Sequence, residues 1–331
     1  MMNSTANERL LGVAAVLIAA ILWGTTGTAA TFAPDVSAIA IGAVAMGGGG
    51  LMQALLSARR IHRHAGLLRD QWRCLFLGAV AVAIYPLAFY ASMRLAGVTM
   101  GTVVSIGSAP LLSALIEYRL DGLRLTRRWA IGAGLGLAGV LLLCLAEGSG
   151  HVPTGTGSGV VPGVLLGLLA GLSYALYSWT ARRLMQGGIA PRAAMGATFG
   201  LGGLMLMPVL FITGAPLLAS WGNASVGLYM ALVPMLLGYL CFGHGLSRIP
   251  ASTATTITLF EPVVAAVLAV AIVGERLTTM GWAGIVLILA CLICISAPFK
   301  ASTRETTCSI PSSDVAPRSE HDVRKTRVSL R

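Results

Sequence analysis

One acidic residue lies deep inside a long apolar run, where it could carry a proton or bind a cation. Glu261 stands ten residues into the run 251–273 and is followed by Pro262. Ten residues of helix rise about 15 Å, which is half of a hydrocarbon layer of about 30 Å. A carboxyl group away from water favours its neutral form, so Glu261 is the candidate for exchanging a proton for a cationic solute. The alternative is a structural role, in which a neutral or hydrogen-bonded Glu261 sustains a helix break at Pro262.

Other polar side chains inside apolar runs are the remaining candidates for binding a solute. They are Trp23, Tyr85, Tyr90, Ser105, Ser108, Tyr174, Thr255 and Thr258. Hydroxyl groups in membrane helices also bond to their own backbone or to a neighbouring helix, and that alternative stays open for each of them. Pro110 and Pro262 each remove a helical hydrogen bond and are predicted helix breaks, with a simple kink as the alternative. Glu117 and His244 lie near the ends of apolar runs, where we expect structural contacts at the membrane interface.

Catalytic and metal chemistry find little support in this sequence. An enzyme acting on lipid or isoprenoid substrates would need clustered Asp, Glu or His at membrane depth, and only Glu261 is there. Cys291 and Cys294 form a CxxC pair without an accompanying His or acidic residue, so helix packing explains them better than zinc. No G-x-x-x-x-G-K-[ST] nucleotide loop occurs. We therefore predict no catalytic residue, metal or cofactor.

The elements that must position these residues are membrane helices. The 331 residues are 56% hydrophobic and 11% charged, with a mean hydropathy of +0.82, whereas soluble domains carry about a quarter charged residues. A membrane span takes about 20 apolar residues as helix. Ten segments qualify: 10–32, 37–57, 74–93, 98–118, 129–146, 160–181, 193–214, 224–246, 251–273 and 279–298.

Basic residues indicate how these spans are oriented. The loops between the spans lie alternately on the two sides of the membrane. On one side, together with both termini, lie 21 of the 23 Lys and Arg residues, and the loops on the other side hold only Arg94 and Arg276. Such residues are retained in the cytoplasm, so both termini are predicted to be cytoplasmic and the protein to be multi-pass in the inner (plasma) membrane. The net charge of +11 is spread between apolar runs, which excludes nucleic acid as the expected partner.

The two halves of the chain repeat each other at a shift of 152 residues. The matched pairs include Pro110 with Pro262, Gly122 with Gly274, Arg124 with Arg276, Leu125 with Leu277 and Thr126 with Thr278. Five spans per half is an odd number, so the second copy must be inverted in the membrane, as in many secondary transporters. The predicted fold is an all-α integral membrane protein with ten transmembrane helices in two inverted five-helix repeats. We assign 1–9 to a cytoplasmic N-terminus, 10–146 and 160–298 to the repeats, 147–159 to an outer loop, and 299–331 to a disordered cytoplasmic tail.

Three short motifs give the chain a family resemblance. Trp23-Gly24, Ala109-Pro110-Leu111, and Glu261-Pro262-Val263 followed by Gly274-Glu275-Arg276-Leu277 occur in this order. The chain thereby resembles the EamA-type permeases of the drug/metabolite transporter superfamily. The resemblance implies a central cavity lined chiefly by helices one, three, four, six, eight and nine. The first half departs from the pattern, because Leu123 stands where the family's Gly-Glu-Arg glutamate is expected.

Secondary transport is the function that these observations favour. We expect a transporter of small metabolites, such as amino acids or related solutes, or of drugs. Export by alternating access is expected, with proton coupling and facilitated diffusion both left open. A lipid-acting membrane enzyme and a passive channel are the alternatives, although neither a ring of charges nor a carbonyl filter is visible. The expected partners are a small solute and the lipid bilayer, and a homodimer is an open alternative.

Overall fold

Ten long apolar helices form the part of the chain that the structure, a computed structural model, describes: residues 2–148, 159–273 and 277–296. The spans are α1 Asn7–Ala30, α2 Ala38–Arg63, α3 Trp72–Ala96, α4 Met100–Leu120, α5 Arg127–Ala146, α6 Val160–Gln186, α7 Pro191–Thr213, α8 Trp221–Leu246, α9 Ala251–Ile272 and α10 Thr279–Ser296. No strand occurs among these described residues. The all-α membrane fold predicted from the sequence is confirmed. The predictions for Glu275, Arg276 and the tail fall outside the described residues.

The helices run past the apolar segments that predicted them. The sequence placed the end of the second span at 57 and that of the sixth at 181, whereas α2 ends at Arg63 and α6 at Gln186. Arginine and glutamine are good helix formers, so these helices continue beyond the apolar layer. A short helix, Ala65–Asp70, then follows α2.

Successive helices run in opposite directions, which defines two ends of the bundle. We call the end at which α1 begins the near end, and the opposite end the far end. Near-end contacts confirm the alternation, because Arg9 at the start of α1 donates to the Ile295 carbonyl at the end of α10. Arg248, just after α8, pairs with Glu8 at 2.7 Å.

The closest helix pairs are α3 with α6, α5 with α10, α2 with α7, and α4 with α6. Small residues permit these approaches, as the α5–α10 crossing illustrates. A Cβ atom built on Gly139 would lie 2.7 Å from the Gly284 carbonyl oxygen, and one on Gly284 would lie 2.7 Å from the Gly139 carbonyl oxygen. Only glycine allows the two backbones to meet this closely.

Some of these helices are interrupted inside their spans. The helix Met2–Gly24 of α1 breaks at Thr25 before Thr26–Ala30. In α9 the backbone tightens to a 3₁₀ turn over Thr258–Phe260, directly before Glu261 and Pro262. Pro110 behaves differently from its prediction, because the helix Val98–Leu120 runs through it without a break. The break predicted at Pro110 therefore does not occur, and the proline lies inside a continuous helix.

Candidate functional site

A cavity of about 360 Å³ occupies the bundle between its middle and the far end. Residues from α1, α3, α4, α6, α8 and α9 line it, and α2 and α5 also contribute, through Ile41 and Cys144 among others. Ala30 and Val98, which lie at the far ends of α1 and α4, are among the lining residues. The cavity thus extends along the outer half of the bundle from its middle to the far end.

Glu261 is the only charged residue among the described residues that line this cavity. It begins the helical stretch Glu261–Leu268, with Pro262 in the first turn. A carboxylate there is favoured by the partial positive charge of a helix N-terminus. Nothing in the described part of the chain donates a hydrogen bond to the carboxylate, so the hydrogen-bonded structural role considered above has no donor there. The group is free to bind a proton or a solute.

Aromatic side chains surround the carboxylate. The rings of Tyr174 and Tyr177 stack with centroids 5.1 Å apart, and Tyr85 meets Tyr174 edge-on at 5.7 Å. The phenol groups of Tyr85, Tyr90, Tyr174 and Tyr239 all lie within electrostatic range of Glu261. Carboxylate and ring faces together attract an ammonium group, through charge and through the cation–π interaction.

The hydroxyl groups of this aromatic wall divide into bonded and unbonded ones. Tyr174 bonds to the Thr258 hydroxyl at 2.8 Å, and Tyr177 bonds to the Tyr239 hydroxyl at 3.0 Å. The hydroxyls of Tyr85 and Tyr90 have no partner among the described residues. Those two hydroxyls and Glu261 are therefore the polar groups that remain available to a solute.

Five of the nine sequence-predicted binding residues line the cavity: Trp23, Tyr85, Tyr90, Tyr174 and Glu261. Trp23 does so with its ring only, because its indole N–H donates to the Pro234 carbonyl at 2.8 Å. Thr258 stands behind the wall and supports Tyr174.

Ser105, Ser108 and Thr255 do not line the cavity, contrary to their prediction. Both serines pack against Gly171 of α6, where an added Cβ would lie 2.8 Å from the Ser105 carbonyl oxygen. Thr255 donates to the Ala251 carbonyl at 2.9 Å. Ser108 and Thr255 follow the alternative in which the hydroxyl bonds to its own helix, whereas the buried Ser105 hydroxyl has no hydrogen-bond partner among the described residues.

Sequence reasoning missed two lining residues that shape the site. Tyr239 in α8 belongs to the aromatic wall, and its central position in an apolar run is the same signal that found Tyr174. Gly27 follows the break in α1, is exposed, and a Cβ there would meet nothing within 4 Å. It therefore faces the open space of the cavity, a property that no local pattern shows.

A buried carboxylate, which the sequence predicted to lie at the membrane interface, joins helices at the near end. Glu117 of α4 is only 1% exposed. It accepts from the backbone N–H groups of Ala251 and Ser252 at 2.6 and 3.1 Å and from the Ser252 hydroxyl at 2.5 Å. Arg182 of α6 lies 4.0 Å from the carboxylate and donates to the carbonyls of Leu246 and Ile249. We call Glu117, Arg182 and the start of α9 the near-end clamp, because they join α4, α6, α8 and α9.

Comparison with known proteins identifies the family of this chain. A family model described as the EamA-like transporter family matches residues 10–145 and again 161–297. The chain is 34% identical over 294 residues to YwfM of Bacillus subtilis, an uncharacterized transporter, covering 88% of this chain and 95% of that relative. A solved crystal structure of 19% identity superimposes with a TM-score of 0.70, covering 86% of this chain and 95% of that one. At that identity the likeness concerns the fold alone.

Two more distant relatives have more specific names. The threonine/homoserine exporter RhtA of Salmonella typhimurium is 28% identical over 217 residues, which is 63% of this chain and 68% of the relative. A probable amino-acid metabolite efflux pump of the same species is 31% identical over 179 residues, or 50% and 57%. With ten apolar helices in its described part and with these relatives, the chain is a multi-pass membrane transporter and not an enzyme. The resemblance read from the short motifs is confirmed, and the chain belongs to the EamA-like transporter family.

Proposed function

We propose that the protein exports small amino acids, amines or related solutes and exchanges them for protons at Glu261. The observation that carries this proposal is a lone carboxylate in an aromatic cavity without a positive charge among the described lining residues. An ammonium group is attracted by such a site, whereas a phosphorylated or otherwise anionic solute lacks the Arg or Lys that it needs. The volume of about 360 Å³ is at the small end of ligand pockets, which hold about 300–1,000 Å³.

Alternating access between inverted repeats is the mechanism that we propose for this site. The cavity reaches the far end, while the near-end clamp holds four helices together at the other end. In a five-helix repeat, each helix of the first half corresponds to the helix five positions later. Exchanging corresponding helices leaves the contacting pairs α2–α7 and α5–α10 unchanged. The same exchange converts the pair α3–α6 into α8–α1, which are also in contact. This symmetry of contacts supports an inverted repeat, in which the clamp opens as the far end closes.

Export is the proposed direction. The basic residues favour a cytoplasmic near end, so the cavity corresponds to a state open to the outside. In this state Glu261 would bind a proton from outside. The protein would then return to the inward-open state, where a cytoplasmic solute displaces the proton and completes the exchange. The names of RhtA and of the efflux pump support this direction.

Flux in proteoliposomes tests the proposal. Purified protein is reconstituted in liposomes, and a pH gradient of either sign is applied across the membrane. The flux of each solute is then measured for L-threonine, L-homoserine, other neutral amino acids and the cationic probe tetraphenylphosphonium. We expect gradient-driven flux of at least one of these solutes by the wild type and its loss in Glu261→Gln. Asp121→Asn, which removes a carboxylate outside the cavity, is the matched control and should retain wild-type flux.

Two outcomes would contradict the proposal. Wild-type gradient-driven flux in Glu261→Gln would assign the carboxylate a structural role and favour facilitated diffusion. Anionic solutes without an amino group are tested in the same assay. Flux of these solutes alone would refute the proposal that the cavity binds amino groups.

A further inference from the structure

A second site lies at the near end of the bundle. Arg60, Arg192, His244 and Arg248 line a pocket of about 400 Å³ between α1, α2, α7 and α8, together with one acidic residue, Glu8. We call it the basic pocket. Glu8 pairs with Arg248 at 2.7 Å, so the pocket keeps an excess of positive charge.

The two other arginines of the basic pocket have no internal counter-charge. Arg60 and Arg192 are exposed, and no described residue forms an ion pair with either of them. Both lie beside an end of a membrane span, Arg60 in the last turn of α2 and Arg192 at the start of α7. This is the depth at which phospholipid phosphates lie.

An apolar groove continues from the basic pocket into the membrane region. The groove holds about 420 Å³ and is lined by Leu11, Ala14, Ile18, Met195 and Leu240, among others. It shares Pro191, Arg192 and His244 with the basic pocket. Leu11 and Ile18 are seven residues apart on α1, so the groove extends at least about 10 Å along the helix axis.

We propose that the basic pocket and the apolar groove together bind one anionic phospholipid. The phosphate lies between Arg60 and Arg192, and an acyl chain lies along α1 between α7 and α8. Charge complementarity selects an anionic headgroup, because phosphate attracts arginine strongly. A free phosphate would use only the pocket, whereas the adjoining groove selects a ligand with a hydrocarbon chain.

This site is separate from the central cavity. None of its lining residues lines the central cavity. It joins the start of α1 to α7 and to the end of α8, next to the Glu8–Arg248 pair. A bound lipid would therefore hold the near ends of these helices together, whichever solute is carried.

Native mass spectrometry of the purified full chain tests the proposal. Protein in detergent is titrated with phosphatidylglycerol, with phosphatidylcholine of the same acyl chains, and with glycerol 3-phosphate, which carries the phosphate without chains. We expect one tightly held phosphatidylglycerol, at least ten-fold weaker phosphatidylcholine, and no retained glycerol 3-phosphate.

Two variants address the two parts of the site. Arg60→Gln combined with Arg192→Gln should weaken phosphatidylglycerol binding roughly thirty-fold, since each basic residue contributes about 1 kcal/mol and tenfold is 1.4 kcal/mol. Ala14→Trp fills the groove at an exposed position without changing a charge, and should weaken binding at least three-fold. Arg59→Gln combined with Arg119→Gln removes two exposed arginines outside the pocket and should leave binding unchanged.

Three results would overturn the proposal. An equal loss in the Arg59/Arg119 control would reduce the effect to net charge. Equal affinity for phosphatidylcholine would exclude recognition of the anionic headgroup. Glycerol 3-phosphate binding as tightly as the lipid, with Ala14→Trp unchanged, would make the pocket a site for a free anion.

Discussion

Replacing Glu117 with alanine should destabilise the protein far more than replacing the neighbouring acid, Asp121. Glu117 accepts three hydrogen bonds at the start of α9 and lies beside Arg182, with its side chain 2% exposed. Removing one partner of a buried charge pair typically costs about 3–5 kcal/mol, because the groups left behind lose their counter-charge and bonds. We expect a loss of about 4 kcal/mol in the free energy of unfolding for Glu117→Ala.

Asp121 provides a control from the same sequence region. It lies four residues after Glu117, pairs with Arg183 at 3.2 Å and accepts from the Trp179 indole N–H at 2.7 Å, but the arginine side chain is 54% exposed. Exposed pairs contribute about 0–1 kcal/mol, so Asp121→Ala should cost about 1 kcal/mol.

Reversible unfolding by SDS in mixed micelles, followed by helical circular dichroism, measures both losses. Ser252→Ala removes only one of the three bonds to Glu117 and should fall between the two variants, at about 2 kcal/mol. Costs within 1 kcal/mol of each other for Glu117→Ala and Asp121→Ala would refute the burial argument for the near-end clamp.

Further predictions concern the cavity wall. Tyr85→Phe removes a hydroxyl without a partner in the described chain, so KM for the transported solute should rise while thermal stability stays within about 0.5 kcal/mol. Tyr177→Phe breaks the bond to Tyr239 and should cost about 1 kcal/mol in a melting experiment; the reverse order of stabilities would contradict the assignment. Gly27→Leu should reduce flux at unchanged stability, because its Cβ meets only open cavity. Gly24→Ala, whose Cβ would lie 2.8 Å from the Glu261 carbonyl oxygen, should cost about 1–3 kcal/mol, and equal stabilities for the two glycine variants would be inconsistent with this packing.

The fold was predictable because lipid restricts the choices. A chain that must satisfy its backbone without water forms helices of about 20 residues, so ten apolar runs predicted ten spans. Helix ends such as Arg63 and Gln186 were placed too early, because apolarity marks the membrane layer and not the end of the helix. Pro110 and Pro262 share a sequence context but differ in backbone, since only the second follows a 3₁₀ turn.

The candidate site was predictable where burial has a cost. A carboxyl group at midplane must face a cavity or a partner, and that argument placed Glu261 correctly among the lining residues. Hydroxyl groups carry no such constraint, because a serine can bond to its own helix, as Ser108 does to the Ser105 carbonyl, and sequence alone does not tell which hydroxyls face the cavity. Glu117 makes the structural contacts that were expected of it, but its burial was not predictable, since its partners at Ala251 and Ser252 lie more than 130 residues away and no local pattern reports such a contact.

Proton release on solute binding tests the central role of Glu261 most directly. Purified protein in weakly buffered detergent solution receives the solute that gives the largest gradient-driven flux, and a pH indicator records released protons between pH 5 and 9. At pH values where the unliganded carboxyl is protonated, a cationic group that binds it must displace the proton, and at higher pH no proton remains to be released. We expect release by the wild type that declines as pH rises, and none from Glu261→Gln. Equal release from Glu261→Gln, or solute binding by the wild type without release at any pH in this range, would contradict the account.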